Sequence, residues 1–207
     1  MSLTPEPPRS SAATHPPIPP AAQAVLDFWF GDPPTPVPRK AWFSKDADVD
    51  RLIAERFGAT LEAVLSRRLV SWGNEPQAVL ARIVLLDQFT RNVFRDTARA
   101  FAGDDQALAA AQALVAAGGD RALNGLQRWF VYLPFEHAED ISMQQQSLNL
   151  FDGLAAEHPA LGEAALWAHK HQQVVQRFGR YPHRNAILGR QSTAEELAFL
   201  AQPGSSF

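Results

Sequence analysis

The chain reads as an all-α domain, and three observations predict this. Apolar residues recur at spacings of three and four over long stretches. Most of these stretches open on a capping residue or an early proline and close on glycine or proline. No stretch alternates with the period of two that a strand requires, and no hairpin dipeptide or strand–helix–strand order is present. Seven to nine helices with mostly short links predict antiparallel helical hairpins stacked in a layer, because a short link folds each helix back on its predecessor. No clean self-similar period marks a repeat array, although a curved, repeat-like layer is compatible with the pattern.

Taken in order, residues 1–19 form a proline-rich segment with little apolar surface to bury, and a disordered leader is expected there. A single all-α domain is expected over 20–202, with a short tail at 203–207. The first helix runs from about Pro20 to Phe30 and stops at Gly31-Asp32-Pro33-Pro34. Trp42-Phe43 ahead of Ser44-Lys45-Asp46 marks the start of a second, whose apolar positions run from Val49 to Leu65 and which ends near Leu69. Asn74-Glu75-Pro76 opens a third by a capping Asn and an early Pro, and its pattern runs to Arg95. Asp104 or Asp105 caps an Ala-rich helix closed by Gly118-Gly119. Another spans about Asp120 to Leu133, where Pro134 predicts a break or kink. Residues 139–156 return to helix with Gln144-Gln145-Gln146 on the wetter side, and Pro159 to Phe178 follows, stopped by Gly179. Ser192-Thr193-Ala194-Glu195-Glu196 satisfies a capping-box pattern and opens a last short helix to about Ala201.

Composition narrows the function. The 207 residues suit one domain with a sizeable core. A net charge of −3 gives no basic field for nucleic acid or an anionic membrane. No apolar run is long enough to span a membrane, and no secretory signal pattern opens the chain. There are no cysteines, which removes disulfides and thiolate chemistry and fits a cytoplasmic protein. The excess of Arg over Lys is equally well explained by coding bias and carries little weight.

Three polar clusters lie among aromatic and aliphatic residues. Asp87, Gln88, Arg91, Asn92 and Arg95 fall within an arc of about 140° on a helix turning about 100° per residue, the direction Leu80 and Val84 face earlier. Glu136, His137, Glu139 and Asp140 crowd around Pro134. His183, Arg184 and Asn185 lie between Arg180 and Arg190. Forked guanidinium, amide and imidazole donors suit a carboxylate or phosphate. No glycine-rich phosphate loop is present, so an anion would be held by side chains. His137 with Glu136 is the candidate acid–base pair. A metal site is poorly supported: HExxH is absent, and adjacent helical residues point about 100° apart. No metal and no cofactor are therefore expected. His169 and His171, two apart on one helix, read as surface or boundary residues, and the tryptophans as core. Architecture alone is the rival explanation, with Arg91 and Arg184 neutralising Asp87, Glu136 and Glu139 in an internal network.

Four motifs carry a resemblance. Val25-Leu26-Asp27-Phe28-Trp29-Phe30-Gly31, Leu85-Leu86-Asp87-Gln88-Phe89 with Arg91-Asn92, Tyr132-Leu133-Pro134-Phe135-Glu136-His137-Ala138-Glu139 and Arg180-Tyr181-Pro182-His183-Arg184-Asn185 resemble, in order, the bacterial domain of unknown function 924 family over about residues 20–202. The resemblance implies a tetratricopeptide-like helical superfamily and no established activity. Thr90 stands where the family usually has Pro, which implies an unbroken helix here, and Ala138 stands where Ser is common.

Three functions are weighed. The first is a helical binding module whose polar groove takes a small anionic ligand or a peptide carboxylate through Asp87, Gln88, Arg91, Asn92, Arg95, Glu139, His183, Arg184 and Asn185. The second is a hydrolase- or transferase-like enzyme using His137 and Glu136. The third is a structural protein with an internal ion-pair network. All three suppose that the clusters meet in space.

Overall fold

In a computed structural model the chain is described over residues 18–32, 34, 37–68 and 72–205. Residues 1–17 of the expected proline-rich leader lie outside the described residues. The described residues are all helical in class, with eight helices and no strand when the central helix is counted once. The elements are α1 (Pro20–Phe30), α2 (Ala47–Leu65), α3 (Pro76–Ile83), a π-helical stretch (Val84–Phe89), α4 (Thr90–Val93), α5 (Asp104–Ala116), α6 (Gly125–His137), α7 (Ile141–Glu157), α8 (Gly162–Phe178) and α9 (Ala194–Leu200). None is long and apolar enough to cross a membrane.

Local chemistry accounts for most boundaries. Asp46 caps α2, its carboxylate accepting from the Asp48 and Val49 amides. Asp140 caps α7 in the same way. Capping boxes open α6 (Asn124 with Gln127) and α9 (Thr193 with Glu196). Gly179, at φ 70°, closes α8 in the left-handed conformation.

Several expected boundaries move. Glu75, not Asn74, precedes the first turn of α3. The segment from Asp120 is a 3-10 turn, and α6 begins only at Gly125, where Asn124 supplies the cap. Pro134 lies inside α6, which continues through it to His137 rather than ending. Pro159–Leu161 is a 3-10 turn leading into α8. The central helix is continuous but not regular. Its middle is π-helical, with the Thr90 amide donating to Leu85 O, and it stops at Val93 rather than Arg95. Phe94 leaves the helix and Asp96 takes a positive φ of 60°.

The core explains where that irregular stretch sits. All six residues from Val84 to Phe89 are buried. Phe89 packs edge-on against Phe28 and Trp29 and tilted against Phe57, so one side of the stretch is held by α1 and α2. Trp42 and Phe130 extend the aromatic cluster, and Trp42 Nε1 donates to Trp29 O at 2.9 Å. On another side, Gly103 carries its Cα against the backbone of Leu86, where an added Cβ would lie 2.2 Å from the carbonyl oxygen. That contact makes Gly103 the residue before α5 and puts Asp104 and Asp105 in the first turn, not at the cap. The three-residue link 138–140 folds α7 back on α6, and α8 packs on α7. The 3-10 turn Pro182–Arg184 packs against α9.

Two glycine substitutions separate the roles of space and entropy. Gly103→Ala is expected to lower stability in urea unfolding by about 1–3 kcal/mol through overpacking against Leu86. Gly58→Ala, on a mid-helix site of α2 with nothing within 4 Å, is expected to raise it by about 0.5–1 kcal/mol.

Candidate functional site

The π-helical stretch, the start of α5, the C-terminal end of α6, the middle of α8 and the 180–184 segment each contribute to one polar cluster. Asp87, 1% exposed, is its centre. Asp87 Oδ1 lies 2.7 Å from His137 Nδ1, and Oδ2 accepts from Gln88 Nε2 at 2.6 Å. Since a carboxylate only accepts, His137 carries its proton on Nδ1 and presents Nε2 as the second ring atom. No described residue bonds that Nε2, and the His137 side chain is 15% exposed.

Arg91 runs alongside. Its Nη1 donates to Asp87 O at 2.6 Å and to Asp104 Oδ1 at 2.8 Å, and Nη2 donates to Asp104 Oδ2 at 3.1 Å. Arg184 approaches the same carboxylate from the other side, 3.6 Å from Asp104 Oδ2. It lies over the rings of Phe101 and Tyr181, at 4.8 and 4.6 Å, and makes no hydrogen bond to a described residue. Glu136, next to His137 in sequence, turns elsewhere. Its Oε1 is 3.4 Å from His171 Nδ1, which donates to Trp167 O at 2.9 Å. Glu136 Oε2 is buried with no hydrogen-bond partner among the described residues. Gln144 closes the floor, donating from Nε2 to Glu136 O, Ala138 O and the Tyr181 hydroxyl at 2.7–2.9 Å, while that hydroxyl also donates to Glu136 O.

The charges follow from burial and neighbours. Burial would push the Asp87 carboxyl up, but Arg91 and His137 beside it hold it well below the usual carboxylate range. Burial, reinforced by the Asp87 charge, pushes Glu136 up to about 8, so it is largely protonated near neutrality. Burial lowers His137 more than Asp87 raises it, and it lowers His171 to about 3 and His183 to about 4. Burial and the Arg91 charge pull Arg184 down, though an arginine stays charged. The fixed charges are therefore Asp87 and Asp104 against Arg91 and Arg184. Among the described residues no group of three or more acids and histidines is arranged to hold a metal ion.

The structure brings together Asp87, Gln88, Arg91, Glu136, His137, His183 and Arg184. It leaves four other candidates outside. Asn92 Nδ2 and Arg95 Nε and Nη2 all bond Asp50 of α2, at 2.7–2.8 Å; Arg95 lies beyond the helix end at Val93, where the wheel no longer applies. Glu139 accepts from both Arg190 Nη atoms and from the Tyr181 amide. Asn185 bonds Ser192, Glu196 and Arg190. These two secure the segment that carries Tyr181 to Arg184 rather than lining the cluster.

Sequence reasoning missed Asp104, Phe101, Tyr181, His171 and Gln144. His171 is buried, not a surface residue, whereas His169 is exposed and meets Asp152. Gln144 is fully buried, not on the wet side. One signal was available for His171: it continues the apolar positions Val174 and Phe178 at helical spacing.

Fold and cluster together define an all-helical domain with a buried aspartate paired to a half-buried histidine beside two arginines. Residues 25–204 match the family described as bacterial protein of unknown function (DUF924), and the chain belongs to that family. It is similar to a solved structure of a protein of unknown function from Agrobacterium tumefaciens, 39% identical, over 87% of this chain and 96% of that one, with a TM-score of 0.78. No curated protein matches.

The buried titrating groups give a signed pH dependence. The fold favours neutral His171 and neutral His183, so their stabilisation is complete above the ordinary histidine value of 6.5 and is lost as pH falls toward 4 and 3. The fold favours protonated Glu136, so stability falls as pH rises from 4.5 toward 8. Between pH 6.5 and 8 only the second effect of these remains. Unfolding free energy is expected to decline there by up to about 1.4 kcal/mol per pH unit, and Glu136→Gln to flatten the decline. A wild-type profile level across that window would contradict the assignment.

Proposed function

We propose that this protein binds a small anionic ligand, a metabolite or a peptide end, at Arg184 in front of the Asp87–His137 pair. One observation carries the proposal: Arg184, a residue 7% exposed, has its guanidinium carbon over two rings, a buried Nε without a hydrogen-bond partner among the described residues, and its nearest acid, Asp104, at 3.6 Å. A buried charged donor left unbonded is expensive, and an anion supplies the missing acceptor. Arg91, by contrast, is fully engaged by Asp104 and a backbone carbonyl, so its role is to hold the frame. The lack of cysteine supports a cytosolic setting for this ligand.

A second reading, an acid–base enzyme, is favoured by the 2.7 Å contact between Asp87 and His137 Nδ1. A carboxylate in that place keeps the imidazole in one tautomer and steadies the cation it becomes on taking a proton. His137 Nε2 would then be the base toward water or a ligand hydroxyl, with Arg184 holding the substrate. The carboxylate beside the imidazole is Asp87, while the Glu136 carboxyl, the expected acid–base partner, faces His171 instead.

A thermal-shift screen of anionic metabolites and short peptides tests the first reading. At 100 times its dissociation constant a ligand adds about 2.7 kcal/mol to wild-type stability, and Arg184→Gln is expected to abolish the gain. No responding anion, or an undiminished gain in the variant, would remove the site. For the enzyme, turnover of a responding compound is expected to fall about 10²–10⁴-fold in His137→Gln while binding persists. Equal turnover in that variant would remove His137 as the base, and no turnover of any responding compound would leave a binder only.

A further inference from the structure

We propose that the anion held at Arg184 is a carboxylate, selected over phosphate by the shape and charge of its surroundings. This deepens the anion-binding reading and rests on it. Arg184 is fixed by two rings from separate elements, Phe101 at the end of the Ala98–Phe101 turn and Tyr181 ahead of the Pro182–Arg184 turn. With its guanidinium carbon over both rings, its N–H bonds are left in the plane of the group. A planar fork of donors matches the two oxygens of one carboxylate.

A phosphate asks for more than the cluster holds. It needs several donors and close to two positive charges. Arg91 is already paired with Asp104, so Arg184 is the one cation without a hydrogen-bonded acid among the described cluster residues. His137 offers Nε2, an acceptor, because Nδ1 holds the proton toward Asp87. The nearby helix start, commonly a phosphate cradle, is here occupied by Asp104 and Asp105 in the first turn of α5. Asp104 Oδ2, 3.6 Å from Arg184, would lie against a second negative charge on the ligand. One unit of negative charge fits, and two meet repulsion.

The test follows the Nε–H resonance of Arg184 by 15N NMR in the full-length protein, assigned by its loss in Arg184→Lys. Acetate, propionate and benzoate are titrated separately from inorganic phosphate and sulfate at matched ionic strength. The expected result is saturable shifts with the monocarboxylates at about tenfold or more higher affinity than with phosphate. Phe101→Leu, which keeps the charge and removes one ring, is expected to weaken carboxylate binding several-fold and to move the same resonance. Phosphate or sulfate binding at least as well as the carboxylates overturns the carboxylate assignment while leaving the anion site standing. No shift with any of them overturns both.

Discussion

The arrangement depends on keeping one carboxylate ionised in the interior. Asp87 sits in a helix whose every neighbour from Val84 to Phe89 is buried, where an unpaired negative charge would be driven to take a proton. It stays charged because three groups from different directions meet it: His137 from α6, Gln88 beside it and Arg91 one turn on. Each must be delivered to a fixed place. That requirement accounts for the π-helical stretch, whose wider turn lets Phe89 remain in the aromatic cluster while Asp87 faces α6. Single π-turns of this kind concentrate at functional sites, and here the geometric reason is visible. Gly103 then has to approach the backbone of that stretch closely, and the approach brings Asp104 to Arg91.

The C-terminal segment is tied on by a second set of ion pairs. Glu139 holds Arg190 and the Tyr181 amide, and Glu196 holds Arg180 while completing the cap of α9. Gln144 links the end of α6 to the Tyr181 hydroxyl. Partly buried pairs of this sort still face solvent on one side and contribute little each, but several acting on one loop fix its position. The consequence is that Tyr181, His183 and Arg184 are placed against α5 and α6 by residues at the rim of the cluster, with Gln144 reaching into it.

How much of this the sequence held can be judged residue by residue. Helix starts at Asp46 and at the Ser192–Glu196 capping box were readable because a capping side chain and its acceptor geometry are local. Asp87, His137 and Arg184 were readable as candidates because charge embedded in apolar sequence is itself a signal. The split between Arg91, which reaches Asp104, and Asn92 with Arg95, which reach Asp50, was not. It turns on a change of helical register and on a helix end at Val93, and neither leaves a local mark in the sequence. Thr90 donates its hydroxyl to Leu86 O, so this position keeps its place in the interior without a proline. Asp104 was read as a cap because its neighbours are typical of a helix start. Its actual bond is to a residue thirteen positions away. Gln144 was misjudged because three consecutive glutamines look solvated, whereas one of them caps the end of a neighbouring helix.

The choice between a site and a scaffold can be argued from comparison inside the molecule. Asp50 with Asn92 and Arg95 forms a network in which both carboxylate oxygens accept hydrogen bonds. Asp120, Tyr132, Arg128 and Glu157 form another, where the Tyr132 hydroxyl donates to Asp120 and Arg128 bonds both Tyr132 and Glu157. These two networks close on themselves, as a buried polar group must if it is only to hold helices together. The cluster around Asp87 does not. Arg184 Nε and Glu136 Oε2 are buried without hydrogen-bond partners among the described residues, and both lie where α6, α8 and the 180–184 segment converge. Trp29 Nε1 and Ser147 Oγ are also buried without a hydrogen-bond partner among the described residues, but both are neutral; Arg184 Nε belongs to a charged group, so its penalty is the larger one, and an arriving ligand with acceptor oxygens is the physical agent that removes it.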